Sequence, residues 1–127
     1  VRFRATGDSM WPLIQSGDYL LVEPAAASNI ARGDVVLARL DRGLTAHRVI
    51  EVRRDGASLR ITTRGDNAPQ NDAPFTESAI LGRVTHAERD GHQSSINRTG
   101  TIFLAISRAW VRAAARLRRL FVPLEKA

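Results

Sequence analysis

At 127 residues the chain has room for one domain and a short appendage, and with 43% hydrophobic and 25% charged residues it has the composition of an ordinary folded protein, which excludes wholesale disorder. Nineteen basic residues against thirteen acidic ones leave a net charge of +6, which permits contact with nucleic acid or anionic lipid without requiring either. There is no cysteine, which excludes disulfides, a thiolate nucleophile and cysteine-held zinc.

In chain order, the first three quarters reads as short β-prone runs broken by Gly, Asp and Pro. Val1 to Ala5 is strand-like, and Trp11-Pro12 marks a turn. Tyr19 to Glu23 is a strand stopped by Pro24 and a small-residue loop through Asn29. Asp34 to Leu40 follows, with Asp41-Arg42-Gly43 as a tight turn into a partner over Leu44 to Arg53. Asp55-Gly56 turns into Ser58 to Thr63, and a Gly/Asn/Pro-rich loop runs from Gly65 to Pro74. Ala79 to Arg89 is a further strand, and Asp90-Gly91 is a type I′ turn candidate leading into His92 to Ile96. Turns every ten residues or so imply a mainly β fold, a sandwich or barrel-like sheet. There is no internal repeat.

The last quarter changes period. Phe103, Ile106, Trp110, Ala113, Ala114, Leu117, Leu120 and Phe121 recur at three- and four-residue steps, with Arg108, Arg112, Arg116 and Arg119 on another stripe. The pattern predicts a basic amphipathic helix over 101–121, stopped by Pro123. We therefore expect two parts: a β-rich domain over 1–97 and a helical appendage over 98–127. Either the helix docks on the sheet with its arginines in water, or it lies on an anionic membrane surface with Trp110, Phe103 and Phe121 at the interface. Nucleic acid is disfavoured as a partner, because aromatic residues are 6% and none alternates with arginine as a stacking platform requires. The longest apolar run in this quarter, Ile102 to Ile106, falls far short of the roughly twenty residues that span a bilayer. Val1 stands where an initiating methionine is usual, so we expect an upstream piece.

Ser9, between Gly7 and the turn at Trp11-Pro12, has an exposed hydroxyl and nearby backbone N–H groups able to face an oxyanion. A hydroxyl is a poor nucleophile without an adjacent base, and taken alone this residue reads as a turn serine capping its own backbone. Lysine is absent from residues 1 to 125, so a Ser–Lys dyad cannot be built from them. His47 lies in a β-run that puts Thr45, His47 and Val49 on one face, and an imidazole titrating near neutrality can take a serine proton and return it to a leaving amine. An acid must then hold the imidazole tautomer. The loop offers Asp66 and Asp72, each equally readable as Asx-turn chemistry, and the residues alone do not separate them. His47, His86 and His92 lack HxH or HxxxH spacing, so neither a metal nor a cofactor is expected.

Together these segments resemble a known superfamily. Gly7-Asp8-Ser9-Met10-Trp11-Pro12 with Gly17-Asp18 is similar to the nucleophile box shared by type I signal peptidases and self-cleaving repressor peptidases. His47-Arg48-Val49 resembles the base box of the signal peptidases that use histidine, those of endoplasmic-reticulum, archaeal and sporulation type. Arg64-Gly65-Asp66-Asn67 with Asp72 resembles that branch's third box, and Leu81-Gly82-Arg83-Val84 the strand after it. The resemblance covers about residues 3 to 85. It implies a coiled β-sheet, Ser9 as nucleophile, His47 as general base and Asp72 as third member, with Asp66 shaping the loop or supporting the site. Met10 would pack inward and Asp18 would tie down the following turn. It implies a serine endopeptidase that cuts an extended leader or signal segment after small residues, on the extracytoplasmic face of a membrane. The sequence departs from that pattern at Gly7, where many signal peptidases carry an oxyanion-assisting serine, at Asp8, which is closer to the repressor branch, and in having no anchor before Val1. Two rival readings are a self-cleaving or regulatory peptidase, disfavoured by the missing lysine, and a non-catalytic basic module on the same scaffold.

Overall fold

A computed structural model of the chain describes residues 1–96; the helix expected over 101–121 lies outside the described residues. Eight strands form in chain order: β1 (Arg2–Arg4), β2 (Tyr19–Glu23), β3 (Val35–Leu40), β4 (Gly43–Asp55), β5 (Ser58–Arg64), β6 (Phe75–Thr76), β7 (Ile80–Arg89) and β8 (His92–Ser95). Two single 3-10 turns, Ala27–Asn29 and Glu77–Ala79, interrupt the connections. The turn signals account for most of this. Arg89 pairs with His92, and the two residues between them, Asp90 and Gly91, have φ of 52° and 78°, the pattern of a type I′ turn.

All strands belong to one antiparallel sheet in the order β1-β2-β7-β3-β4-β5-β6, with β8 added to β7. Residues 83–88 of β7 pair with β2, while β3 and β8 share its other edge, β3 at residues 80–83 and β8 at residues 86–89. The mainly β reading thus stands, with one correction of detail. One continuous sheet replaces the two stacked sheets of a sandwich, and among the described residues no pairing closes β6 onto β1 as a barrel requires.

The sheet is buried on both faces where β3 runs through its centre. Val35 and Leu37 point into a cluster with Met10, Ile14, Leu20, Val22, Val84 and Ala87, whereas Val36 joins Ile30, Val49 and Ile61. That explains why Val35 to Ala38 is an unbroken apolar run instead of an alternating one. Each such side chain contributes about 1.5–3 kcal/mol on burial. The fixed frame matters for function because β3 also sets the register of β4, with Val36 opposite His47 and Val35 opposite Arg48. No helix among the described residues is long and apolar enough to cross a membrane.

Candidate active site

The first component is the turn after β1. Gly7, at φ +81°, redirects the chain, and Trp11 N–H to the Asp8 carbonyl (3.0 Å) and Ile14 N–H to the Met10 carbonyl (3.0 Å) close successive turns around Ser9. Buried Met10 and Ile14 anchor this segment in the larger core cluster, which leaves Ser9 half-buried at its surface. Among the described residues the Ser9 backbone N–H has no hydrogen-bond acceptor.

Asp18 secures the far end of the same segment. Its carboxylate accepts from Gln15 N–H (2.9 Å) and, through both oxygens, from Arg89 (2.9 and 2.8 Å). The Arg89 hydrogen bonds hold the Asp18 carboxyl below its ordinary 3.8; burial opposes them and the Gln15 N–H assists. A lowered folded-state value means that this contribution is fully present above 3.8 and is lost as pH falls through the lowered value. We expect Asp18→Asn to destabilise the fold by about 2 kcal/mol at pH 7. In urea unfolding at a series of pH values, the gap between variant and wild type should narrow below 3.8.

The second component is β4, where successive side chains point to opposite faces. His47 and Arg48 therefore diverge, and each meets a different carboxylate from the loop after β5. His47 Nδ1 lies 2.6 Å from Asp72 Oδ2, and His47 Nε2 lies 3.0 Å from Ser9 Oγ. An ionised carboxylate only accepts, so Nδ1 carries the proton and Nε2 presents its lone pair to the Ser9 hydroxyl. Thr63 donates to the same Asp72 oxygen (2.8 Å), and Asp72 N–H bonds to the Thr63 carbonyl (2.8 Å), which ties the carboxylate to the end of β5. Serine, imidazole and carboxylate thus form one hydrogen-bonded line, partly shielded from water, with the His47 side chain 12% exposed and Asp72 24%.

Asp66, the other carboxylate left open by the sequence, is not in that line. Arg48 Nε and NH2 each donate to one of its oxygens at 2.9 Å, with both side chains only 1% exposed, and Arg48 NH1 donates to the Gly33 carbonyl (2.8 Å). A buried guanidinium needs a planar, two-toothed acceptor, and Asp66 supplies it. Asp66, expected either as the acid or as a support for the loop, thus bonds to Arg48 and is hydrogen-bonded to neither Ser9 nor His47.

The third component is the contact between that loop and the Ser9 turn. Asn67 N–H donates to the Ser9 carbonyl (2.8 Å), Asn67 Nδ2 to the Asp8 carbonyl (2.9 Å), and Asp66 N–H to Met10 Sδ (3.3 Å). Gly65 makes this approach possible. A Cβ there would sit 2.6 Å from the Ser9 carbonyl oxygen and 3.2 Å from His47 Nε2. Its glycine requirement comes from close packing against backbone that cannot swing aside. Gly65→Ala should lower kcat/KM about 10²-fold by displacing Ser9 from His47, as ångström-scale misplacement does. A near-native circular dichroism melt alongside would assign that loss to the site and not to the fold.

Sequence reasoning gave no role of their own to three contributors: Arg48 and Gly65, met only inside the motifs, and Thr63. Arg48 had a usable signal, since strand alternation sends it away from His47 into a sheet flanked on both sides. Gly65 was visible only as part of a motif, and nothing marked Thr63 above its neighbour Thr62.

A hydroxyl, an imidazole and a carboxylate in series on a β-scaffold can perform base-assisted nucleophilic attack on a carbonyl, the chemistry of a serine hydrolase. The chain belongs to the Peptidase S24-like family, whose profile matches residues 2–85, a span that holds Ser9, His47, Asp66 and Asp72. This places it in the superfamily of signal peptidases and repressor peptidases. No curated protein and no solved structure matches the chain.

Proposed function

We propose that the protein is a serine endopeptidase in which Ser9 is the nucleophile, His47 the general base and Asp72 the acid that orients it. The hydrogen-bonded line from Ser9 Oγ through His47 to Asp72 Oδ2 carries this reading. Ser9 Oγ attacks a peptide carbonyl as His47 Nε2 takes its proton, and Asp72 stabilises the imidazolium that forms. His47 then returns the proton to the leaving amine, and a water activated by the same nitrogen hydrolyses the acyl-enzyme. The unengaged Ser9 N–H is a donor for the oxyanion, a role that Gly7 cannot fill with a side chain.

Two features support an extended substrate. A cleft of about 240 Å³ beside Ser9 has walls from Phe3 and Ala5 on one side and Leu44 to His47 on the other. In β4, pairing with β5 begins only at Arg48, so the stretch from Leu44 to His47 keeps one edge without a partner strand among the described residues. A substrate strand adds to such an edge through its main chain, and small side chains at the cut are what the resemblance to the histidine-type boxes implies. The finer assignment is a leader or signal segment as substrate, in keeping with the histidine-type boxes. A digest of alanine-containing precursor peptides, with the cut mapped by mass spectrometry, tests it; scission after bulky residues at the same rate as after alanine contradicts it.

Self-cleavage is the second reading, favoured by the Peptidase S24-like match. A first-order rate of chain scission unaffected by dilution identifies it. We further propose that the basic segment 98–127 binds an anionic membrane surface at its extracytoplasmic side. Residues 1–96 hold twelve arginines and twelve carboxylates, whereas residues 97–127 hold seven basic residues and one acidic, so the entire +6 belongs to the C-terminal segment. Co-sedimentation with anionic vesicles, compared between the full chain and a variant with Arg108, Arg112, Arg116 and Arg119 changed to Gln, tests this.

A further inference from the structure

Among the described residues, the cleft beside Ser9 contains one charged residue that the chemistry above does not use. Its inner surface is apolar, drawn from Phe3, Ala5, Met10, Ile14, Leu20 and Ala46, and among the described residues the only Asp, Glu, Lys or Arg that lines it is Arg42. Arg42 sits in the Asp41-Arg42 connection between β3 and β4 and is exposed. No hydrogen bond or ion pair holds its guanidinium among the described residues. Unpaired arginines occur elsewhere on the surface, at Arg32 and Arg39 for example; what sets Arg42 apart is that it shares a cleft with Ser9 and His47.

We propose that Arg42 makes the peptidase selective for a substrate with a carboxylate side chain, Asp or Glu, a few residues from the scissile bond. This rests on the peptidase reading and adds a subsite to it. Arg42 precedes His47 by five residues, immediately ahead of β4. A strand rises about 3.4 Å per residue, so the two Cα atoms are roughly 17 Å apart along the edge, and an extended substrate paired there covers that span with about five residues of its own. Because a guanidinium reaches back several ångströms, the selected position lies about three to five residues from the cut. Arginine suits such a subsite because its planar fork binds a carboxylate through two parallel hydrogen bonds, and the apolar cleft wall holds no competing acid. Asp41 is adjacent in sequence but does not line the cleft. Since Arg42 is exposed, water screens the pair and the preference is modest, about two- to fivefold. It weakens further with added salt.

A direct test takes the full chain and a set of twelve-residue alanine-based peptides carrying Glu, Gln or Lys at single positions out to five residues on either side of the cut. Values of kcat/KM are compared for wild type, Arg42→Gln and Arg42→Glu, and dissociation constants for the same peptides are measured on Ser9→Ala. We expect Glu to be favoured over Gln about two- to fivefold at one position only. Arg42→Gln should bring that ratio to about one, and Arg42→Glu should shift the preference to Lys. A Glu-to-Gln ratio near one at every position, or a preference that survives Arg42→Gln, overturns the proposal. If wild type cuts nothing but Ser9→Ala still binds the Glu peptide more tightly, the subsite stands and the peptidase reading falls.

Discussion

Ser9→Ala and His47→Ala should each reduce kcat by on the order of 10⁶-fold, and the double variant should be hardly worse than either single one. The reason is that the two side chains act as one unit. Without His47 the Ser9 hydroxyl keeps its proton and is a weak nucleophile; without Ser9 the imidazole has no proton to take. Asp72→Asn should cost less, on the order of 10⁴-fold, because an amide can hold the ring in place but favours the wrong tautomer and leaves the imidazolium unstabilised. Asp66→Ala provides the contrast. Its carboxylate meets Arg48 and neither His47 nor Ser9, so its loss removes no member of the reacting line. Steady-state kinetics on one cleavable peptide distinguishes these outcomes. Near-additive losses for Ser9 and His47 would mean that they do not act together.

The same Asp66→Ala variant should show its effect in stability. Arg48 and Asp66 are bonded through two 2.9 Å contacts at 1% exposure, and removing the carboxylate takes away the acceptor of both. We expect a loss of about 3–5 kcal/mol, a large part of the roughly 5–15 kcal/mol that holds a typical domain together. Part of that loss should reach the site, since the residues on either side of Asp66 are Gly65, packed on the Ser9 carbonyl, and Asn67, which bonds to it. Replacing both partners, Arg48→Met with Asp66→Leu, should recover much of the stability, because neither charge of the pair is then left buried without the other. Urea midpoints for the two single variants and the double variant measure this. A single Asp66→Ala variant as stable as wild type would mean that the pair contributes nothing.

Most of the sheet was legible because its turns carry their own chemistry. Asp41-Arg42-Gly43, Asp55-Gly56 and Asp90-Gly91 each fall at an observed strand junction, and the apolar runs between them are long enough to be read. Strand β6 was not legible. Phe75 and Thr76 are too few to show a period, and they become a strand only by pairing with Ile61 and Arg60 of β5. The choice between Asp66 and Asp72 was hidden for a different reason. Both lie in a loop whose Asn, Asp and Pro residues suit any turn, and their fates depend on which face of β4 each can reach. In the fold Arg48 occupies Asp66 while Asp72 meets His47, an arrangement toward which only the family resemblance pointed and which the loop's composition does not encode. Ser9 and His47, by contrast, were legible because each sits in a recognisable local box and the chain offers no lysine as a competing base.

The most direct measurement is the rate at which a fluorophosphonate probe labels the protein between acid and neutral pH, with the adduct located by mass spectrometry. Wild type should carry a single adduct on Ser9, formed ever more slowly as pH falls, as attack assisted by an imidazole base requires, while Ser9→Ala and His47→Ala should stay unlabelled on the same timescale. Labelling of Ser9→Ala at the wild-type rate, or a wild-type rate indifferent to both pH and the loss of His47, would contradict activation of that hydroxyl by that imidazole.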